Sequence, residues 1–250
     1  MRHSFLLIGQ SNMAGRGFLN EVEPIENNRI KMLRNGRFIP MFQPVNCDRK
    51  TSGVNLAESF ADLYSREMDV EVGLIPCADG GSSLDMWKPG EVLFDHACYM
   101  AELASRSSTV AGVLWHQGES DSSDELFPFC EEKLTHMIQE FRNRLGLHRV
   151  PFILGGLGDF LMLRENAEKY RNYAKVNEVL MRMAENDPLI GFASAENLDS
   201  NPDHLHFSAK ALREFGERYY RAFVGIAGTG RVFEENHKFE EEIHTEIEML

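Results

Sequence analysis

Short apolar runs alternate with amphipathic stretches along most of this 250-residue chain. The apolar runs, each short enough for one buried strand, are 5–8, 70–76, 110–115, 152–154 and 190–193. Apolar residues recur at helical spacing in the stretches 56–64, 124–145, 170–184 and 212–223. Strands that alternate with helices form βαβ units, in which the strands are parallel and helices cover both faces of the sheet. The alternation therefore predicts one α/β domain around a central parallel sheet of five strands.

One segment between the first predicted strand and the first predicted helix breaks this alternation. Residues 29–34 and 37–42 flank Asn35-Gly36, a dipeptide that favours the two-residue turn of a β-hairpin. We expect a small antiparallel hairpin here, added to the parallel sheet.

The charge balance argues against two classes of partner. Lys and Arg number 26 against 39 Asp and Glu, which gives a net charge of −13. Nucleic-acid binding and affinity for anionic membranes both require clustered cations, so neither is expected. No apolar run approaches the roughly 18 residues of a membrane-spanning helix, and the apolar stretch 5–8 is too short for a signal peptide. A cytoplasmic location is the expectation.

Acidity is concentrated at the C-terminus. Residues 229–250 carry seven glutamates against Arg231 and Lys238, a net −5, and follow a glycine-rich boundary at 225–230. We therefore expect the α/β domain to cover 1–228 and an acidic, partly helical tail over 229–250 to dock on the body or on a partner subunit. A homo-oligomer is thus left open.

Cysteine usage does not suggest a disulfide framework. The four cysteines are far apart in the sequence and none forms a CxxC pair, so buried free thiols are expected. They are Cys47, Cys77, Cys98 and Cys130.

Polar and glycine residues collect directly after four of the predicted strands. They occupy 9–15, 77–83, 116–121 and 201–206. In open parallel sheets ligands bind beyond the carboxyl ends of the strands, so these four corners predict the functional site.

The corners contain a hydroxyl, a carboxylate and an imidazole that could act together. Ser11 supplies a hydroxyl, which becomes a good nucleophile only when a base removes its proton. Asp203 and His206 are three residues apart, so the carboxylate can hydrogen-bond the imidazole Nδ1 and leave Nε2 to face Ser11. We predict Ser11, His206 and Asp203 as the catalytic residues.

An oxyanion also needs hydrogen-bond donors. The candidates are the Ser11 N–H, an N–H of the Gly80-Gly81 turn, and the side-chain amide of Gln117; which glycine donates stays open. The expected supporting residues include Glu119 and Asp121, which would hydrogen-bond backbone and hold the Gln117 loop. The full supporting set is Gln10, Asn12, Glu119 and Asp121.

Other chemistries fit the sequence less well. Gly9 to Met13 is not G-x-S-x-G, and no P-loop or G-x-G-x-x-G is present. A metal-assisted hydrolase is the sharper alternative, using His204, His206 and Asp203, or His116 with Glu119 and Asp121. Neither cluster has a recognised ligand spacing, so no metal or cofactor is expected. His204 is expected to lie in a loop with its side chain pointing outward.

Taken together, the four corners resemble those of the SGNH hydrolases and, more narrowly, of carbohydrate esterase family 6, with its acetylxylan esterases and sialate O-acetylesterase relatives. The resemblance runs from residue 4 to about residue 224 and does not include the acidic tail. It implies a three-layer α/β/α flavodoxin-like fold and metal-independent ester hydrolysis. At the position of Gln117 the wider superfamily usually has Asn, whereas the narrower family has Gln, as this chain does.

The resemblance implies roles for individual residues as well as a reaction. Ser11 resembles the nucleophile, His206 the general base and acid, and Asp203 the residue that orients His206. Gly81 (or Gly80) and Gln117 resemble the oxyanion donors. The implied function is a carbohydrate acetylesterase that acts through an acyl-enzyme on a small acetylated sugar or oligosaccharide. A non-catalytic carbohydrate-binding relative is the second hypothesis.

Two tryptophans lie near these corners. Trp87 and Trp115 are expected either to stack on a sugar or to belong to the core.

Overall fold

The computed structural model describes residues 1–226 and contains one seven-stranded sheet. The sheet order is β3-β2-β4-β1-β5-β6-β7, so that β1 lies at the centre. The strands are β1 (Arg2–Gly9), β2 (Ile30–Arg34), β3 (Arg37–Pro40), β4 (Glu71–Pro76), β5 (Thr109–His116), β6 (Phe152–Gly155) and β7 (Ile190–Ala193). The five predicted strands are therefore present, each within a few residues of its predicted bounds.

The predicted hairpin is also present, but it is part of the main sheet. β2 pairs parallel with β4, and Met32 lies opposite Leu74. β3 then pairs antiparallel with β2 at the sheet edge. The parallel part of the sheet thus has six strands, not the five predicted from the apolar runs, because β2 is half buried and its apolar pattern resembles that of an edge hairpin.

Six helices accompany the sheet within residues 1–226. They are α1 (Ser11–Ala14), α2 (Leu56–Glu67), α3 (Val92–Ala104), α4 (Cys130–Leu145), α5 (Tyr173–Asn186) and α6 (Ala209–Gly225). α2 packs against α6, while α3 contacts α4 and α4 contacts α5. The arrangement is a three-layer α/β/α fold, as predicted.

The main differences between the predicted and the observed helices concern α4 and α3. The stretch from residue 124 begins with a 3-10 turn at Phe127–Phe129, which contains Pro128, and α4 begins only at Cys130. α3 is absent from the prediction because its buried face consists largely of small residues, whose periodicity is weak. Those residues are Phe94, Ala97, Cys98, Ala101 and Ala104.

Side chains at helix N-termini fix where two of the helices start. Asn55 and Glu58 form a capping box at α2, with Asn55 Oδ1 accepting from Ala57 N–H at 2.7 Å. Ser208 caps α6 by accepting from Ala211 N–H at 3.2 Å. The α6 cap follows directly after the predicted catalytic loop, so it anchors one end of that loop.

Buried aromatic side chains form much of the core on the α2 and α6 side. Phe5 of β1 meets Phe60 at a centroid distance of 4.7 Å and Phe223 at 5.6 Å.

Trp87 and Trp115 are fully buried and meet edge to face at 5.6 Å. The core alternative for these tryptophans is therefore correct, and neither indole face is available to a sugar.

The cysteine prediction holds for three of the four residues. Cys77, Cys98 and Cys130 are buried free thiols, whereas Cys47 is exposed. Burial raises the pKa of the Cys98 and Cys130 thiols to about 12.

Among residues 1–226, no helix is both long enough and apolar enough to cross a membrane. The predicted acidic tail over 229–250 lies outside the described residues.

Candidate active site

Ser11 is the first residue of α1, directly beyond the carboxyl end of β1, and is almost completely buried. The chain reaches this position through Gly9, whose φ is +129°. A Cβ on Gly9 would lie 2.1 Å from the His116 carbonyl oxygen, so only glycine allows β1 to turn this tightly beside β5. The turn brings the Ser11 hydroxyl to the sheet edge where the other polar corners meet.

Ser11, His206 and Asp203 form a continuous hydrogen-bonded chain. His206 Nε2 lies 3.0 Å from Ser11 Oγ, and His206 Nδ1 lies 2.6 Å from Asp203 Oδ2. Asp203 Oδ1 accepts from the backbone N–H groups of Leu205 and His206, each at 3.0 Å. The structure thus brings together the three residues that the sequence predicts as catalytic.

The electrostatics of Asp203 fix the imidazole tautomer. Burial alone would raise the pKa of Asp203, but hydrogen bonds from the His206 ring and from two backbone N–H groups hold that pKa well below its usual range. An ionised carboxylate requires His206 Nδ1 to donate, which leaves Nε2 to accept from the Ser11 hydroxyl. The arrangement therefore suits proton removal from Ser11.

Asn12 holds the loop 201–207, which contains the predicted catalytic residues Asp203 and His206 and is called the catalytic loop below, on both sides of His206. Its Nδ2 donates to the Leu205 carbonyl oxygen at 3.1 Å, and its Oδ1 accepts from Phe207 N–H at 3.1 Å. Nδ2 also donates to Glu119 Oε1 at 2.6 Å. Glu119 therefore supports the site through the Asn12 side chain, whereas the sequence predicts a backbone contact.

The remaining two supporting residues connect the corner after β5 to neighbouring segments. Gln10 Oε1 accepts from Ser120 N–H at 3.3 Å. Asp121 Oδ2 accepts from Leu84 N–H at 3.0 Å, the kind of backbone contact predicted for it. Burial raises the pKa of Asp121 above its usual value, although the hydrogen bonds from Leu84 N–H and the Gln117 side chain act to lower it.

Gln117 does not point a free amide at Ser11. Its Nε2 donates to the Ser82 carbonyl oxygen at 3.2 Å and to the Asp121 carboxylate. Because an amide has two hydrogens, each already has an acceptor. Gln117 would reach an oxyanion only by exchanging one of these partners, so its predicted donor role stays a prediction.

The two glycines of the 77–83 corner differ in what their N–H groups contact. Gly80 N–H donates to Asp48 Oδ2 at 2.8 Å. The N–H groups of Gly81 and Ser11 have no hydrogen-bond acceptor within residues 1–226. This difference favours Gly81 over Gly80 as a donor to an oxyanion.

Three charged residues beside these glycines were not predicted. Asp48 and Arg16 form an ion pair at 2.6 Å in which both side chains are buried, and Arg49 pairs with Asp79 at 2.9 Å. Asp48 and Arg49 lie in an aperiodic stretch between the hairpin and α2, where the sequence contains no signal for them. Arg16 stands at the end of the Ser11 corner, which is the one available clue.

The two other histidines of the metal alternative, His204 and His116, each contact a group outside the candidate clusters. His204 Nδ1 lies 3.2 Å from Ser200 Oγ. His116 is fully buried, with Nε2 3.1 Å from the Gly156 carbonyl oxygen, and burial lowers its pKa. In the part of the chain that the structure describes, no three His, Cys, Asp or Glu side chains stand close enough together to hold a metal ion.

A cavity of about 880 Å³ adjoins the catalytic loop. Its lining includes His204 and Ser208, which stand two residues before and after His206, together with Asp159 and Leu163 from the corner after β6. The volume is in the range of small-molecule sites.

Comparison with known proteins relates residues 1–225 to a family model described as "Carbohydrate esterase, sialic acid-specific acetylesterase". A probable carbohydrate esterase of Arabidopsis thaliana is 24% identical over 243 residues, covering 88% of this chain and 89% of the relative. The solved structure of that Arabidopsis protein has a TM-score of 0.80 and covers 90% of this chain and 99% of its own.

Two further solved structures share the fold at lower identity. The structure of NanS is 18% identical with a TM-score of 0.67, covering 89% of this chain and 96% of its own. A carbohydrate acetylesterase from Xanthomonas citri is 17% identical with a TM-score of 0.66, covering 90% of this chain and 56% of its own. These matches confirm the resemblance drawn from the four corners.

Proposed function

The chain belongs to the carbohydrate esterase, sialic acid-specific acetylesterase family, and from this premise we propose that it is a serine esterase acting on acetylated sugars. Membership makes it a carboxylic ester hydrolase of the acetylesterase kind. The observation that carries the serine mechanism is the chain of contacts from Ser11 Oγ through the His206 ring to Asp203, at 3.0 and 2.6 Å.

In the proposed first step, Ser11 Oγ attacks the ester carbonyl carbon while His206 Nε2 takes the hydroxyl proton. The carbonyl oxygen becomes an oxyanion, which the unengaged N–H groups of Ser11 and Gly81 stabilise. When the tetrahedral intermediate collapses, His206 returns the proton to the departing sugar oxygen. The products are the free sugar hydroxyl and an acetyl ester on Ser11.

In the second step, water takes the place of the sugar. His206 Nε2 removes a proton from the water, whose oxygen attacks the acetyl carbon of the acyl-enzyme. Collapse of the second intermediate returns the proton to Ser11 Oγ and releases acetate. Asp203 stays ionised throughout and stabilises the imidazolium that forms in each step.

For the alcohol part of the substrate, we propose the cavity beside the catalytic loop. Its lining by His204 and Ser208 supports this, since these residues stand two positions before and after His206 in the sequence. Serine hydroxyls and carboxylates are suitable hydrogen-bond partners for sugar hydroxyls. We propose a small acetylated sugar or oligosaccharide as the substrate, with O-acetyl sialic acid and acetylated xylo-oligosaccharides as the forms to compare.

The test measures acetate released from p-nitrophenyl acetate and from a panel that contains both of these sugar esters. Ser11→Ala is expected to abolish turnover of every ester without changing the thermal unfolding midpoint. Ser105→Ala, which removes a hydroxyl from the end of α3, is the matched control and is expected to behave as the wild type. A Ser11→Ala variant with near-wild-type turnover would contradict the proposal, and a wild type inactive on all esters would favour the binding-protein alternative.

The cytoplasmic location, the absence of nucleic-acid and membrane partners, and a homo-oligomeric state all stay predictions from the sequence.

A further inference from the structure

A loop segment that takes no part in the proposed chemistry contacts both backbone polar groups of one residue at the active site. Asp48 Oδ2 accepts from Gly80 N–H at 2.8 Å, while Arg49 Nη2 donates to the Gly80 carbonyl oxygen at 3.0 Å. Two consecutive charged residues thus hold Gly80 at its N–H and at its C=O. We call Asp48 and Arg49 the Gly80 clamp.

The clamp acts on a turn that could otherwise change conformation. Ser82 N–H donates to the Asp79 carbonyl oxygen at 3.3 Å, so Gly80 and Gly81 are the two central residues of a β-turn. Gly81 has φ +79°, the value required at the third position of a type II turn. Type I and type II turns differ mainly in the orientation of the central peptide, and two glycines impose little steric preference between them.

The orientation of that central peptide decides where the Gly81 N–H points. In a trans peptide, the C=O and the following N–H point in opposite directions. Arg49 holds the Gly80 C=O and so fixes the Gly81 N–H on the opposite side. If the peptide rotated, the N–H would turn away by about half a revolution, and the oxyanion would lose this donor.

We propose that Asp48 and Arg49 are positioning residues that lock the Gly80–Gly81 peptide in the orientation in which the Gly81 N–H serves the oxyanion. This inference rests on the proposed esterase function and extends it to residues outside the triad and the oxyanion donors.

The clamp is itself rigidly held. Arg16 donates to Asp48 through Nη1 at 3.1 Å and Nη2 at 2.6 Å, and Ser52 Oγ donates to the same carboxylate at 2.9 Å. Arg49 forms a two-point contact with Asp79 at 2.9 and 3.2 Å. Burial raises the pKa of Asp48, but the hydrogen bonds and charge of Arg16 outweigh it and lower that pKa below its usual value. Asp48 therefore stays an ionised acceptor for Gly80 N–H at neutral pH.

The clamp also lies next to the nucleophile. A Cβ on Gly80 would lie 2.6 Å from Arg16 Nη2, 2.9 Å from Asp48 Oδ2 and 3.6 Å from Ser11 Cβ. No side chain fits at position 80 without displacing the ion pair. The clamp can therefore hold the turn directly beside the oxyanion that forms at Ser11.

Arg49 is the residue to change, because its side chain is half exposed and Asp48 is buried within the network. Arg49→Met keeps the apolar stem and removes the donor to Gly80. With p-nitrophenyl acetate we expect kcat to fall by about 10- to 100-fold, with KM nearly unchanged and the midpoint of the pH profile in place. Arg49→Lys keeps one donor and is expected to restore part of kcat. Arg66→Met, which breaks an exposed ion pair with Asp62 on α2, is the matched control and is expected to leave kcat unchanged.

A double-mutant cycle with Gly81→Ala tests whether both residues act through one N–H. The space around Gly81 admits a methyl group, but its positive φ disfavours alanine, so the turn should change and kcat should fall. If Arg49 acts by orienting the Gly81 N–H, the kcat of the double variant should be little lower than the kcat of the less active single variant.

Three outcomes would overturn the inference: additive losses in the cycle, a wild-type kcat in Arg49→Met, or a raised KM with unchanged kcat. The last result would make Arg49 a substrate-binding residue. Thermal unfolding midpoints check that each variant is folded, and Gly81→Ala provides a second variant should Arg49→Met unfold. A wild type that hydrolyses no ester would instead refute the proposed function, so the two failures are distinguishable.

Discussion

Asp203 combines an exposed position with an unusually complete set of hydrogen bonds. About half of its side chain faces solvent, yet both carboxylate oxygens are engaged, one with the His206 ring and one with two backbone N–H groups. Its pKa is depressed, so Asp203 is protonated in the folded state only at strongly acidic pH. Any stability from this depressed pKa is present above the unfolded-state value of about 4 and is lost as pH falls through the folded-state value. If activity falls between pH 7 and 5, the group that becomes protonated is therefore expected to be one other than Asp203.

Replacing Asp203 by Asn tests this assignment. The amide keeps the size of the side chain but removes the charge that stabilises the imidazolium and the correct tautomer. We expect kcat for p-nitrophenyl acetate to fall by roughly 10²- to 10⁴-fold, less than in Ser11→Ala, and the acid limb of the pH profile to move to lower pH. Full activity in Asp203→Asn would remove this residue from the triad.

Asn12 determines whether His206 is correctly placed, because its side chain binds the residues on either side of it. Asn12→Ala removes these two hydrogen bonds and the one to Glu119 from a buried position, and we expect it to lower the free energy of unfolding by about 2 to 4 kcal/mol and also to lower kcat. Asn177 is the matched control. Its side chain likewise accepts from one backbone N–H, at 2.7 Å, and donates to one backbone carbonyl oxygen, at 2.9 Å, both of them of Leu157.

Asn177→Ala should therefore lower stability, by about 1 to 3 kcal/mol, and leave kcat close to wild type. Urea unfolding and steady-state kinetics on both variants decide the matter. Equal effects on kcat would mean that Asn12 stabilises the fold without placing His206.

At the scale of elements, the sequence predicts the corners better than the contacts between them. Short apolar strands and long amphipathic helices have strong sequence signals, and they place Ser11, Gln117 and His206 at one edge of the sheet. The Asp203–His206 pair is also readable, because three residues within one loop suffice to form it. The roles of Asp48 and Arg49 cannot be read in the same way, because both residues lie in an aperiodic stretch and contact Gly80 across more than 30 positions of sequence.

The contact between α2 and α6 depends on one glycine. A Cβ on Gly216 would lie 2.0 Å from the Leu56 carbonyl oxygen and 2.2 Å from Ser59 Oγ, so the two helices approach too closely for any side chain there. We expect Gly216→Ala to lower the free energy of unfolding by about 2 kcal/mol or more, despite the higher helix propensity of alanine.

Gly225, at the end of the same helix, provides the control. No atom within residues 1–226 would lie within 4 Å of a Cβ at this position. Gly225→Ala should leave the stability unchanged or raise it slightly. Urea denaturation of the two variants makes the comparison, and equal stabilities would show that the helices can move apart at little cost.

At the scale of the whole molecule, the family match covers residues 1–225 and leaves out the acidic stretch that begins at residue 229. The last 22 residues, from 229 on, carry seven glutamates against two basic residues, which leaves a net −8 of the total −13 for residues 1–228. We propose that residues 1–228 form the complete esterase domain.

A chain ending at residue 228 should therefore keep the thermal unfolding midpoint and the kcat/KM of the full chain. It should elute earlier from an anion exchanger because it is less acidic. A marked fall in kcat/KM would show that the tail contributes to the site or to its stability.

The central claim is that Ser11 is an activated nucleophile, and covalent labelling tests it most directly. A serine-directed phosphonate should inactivate the protein with a stoichiometry of one, and mass spectrometry of the peptides should place the label on Ser11. Ser11→Ala should take up none, and Asp203→Asn should react more slowly than the wild type. An enzyme that hydrolyses acetyl esters but carries no label on Ser11 would contradict the account.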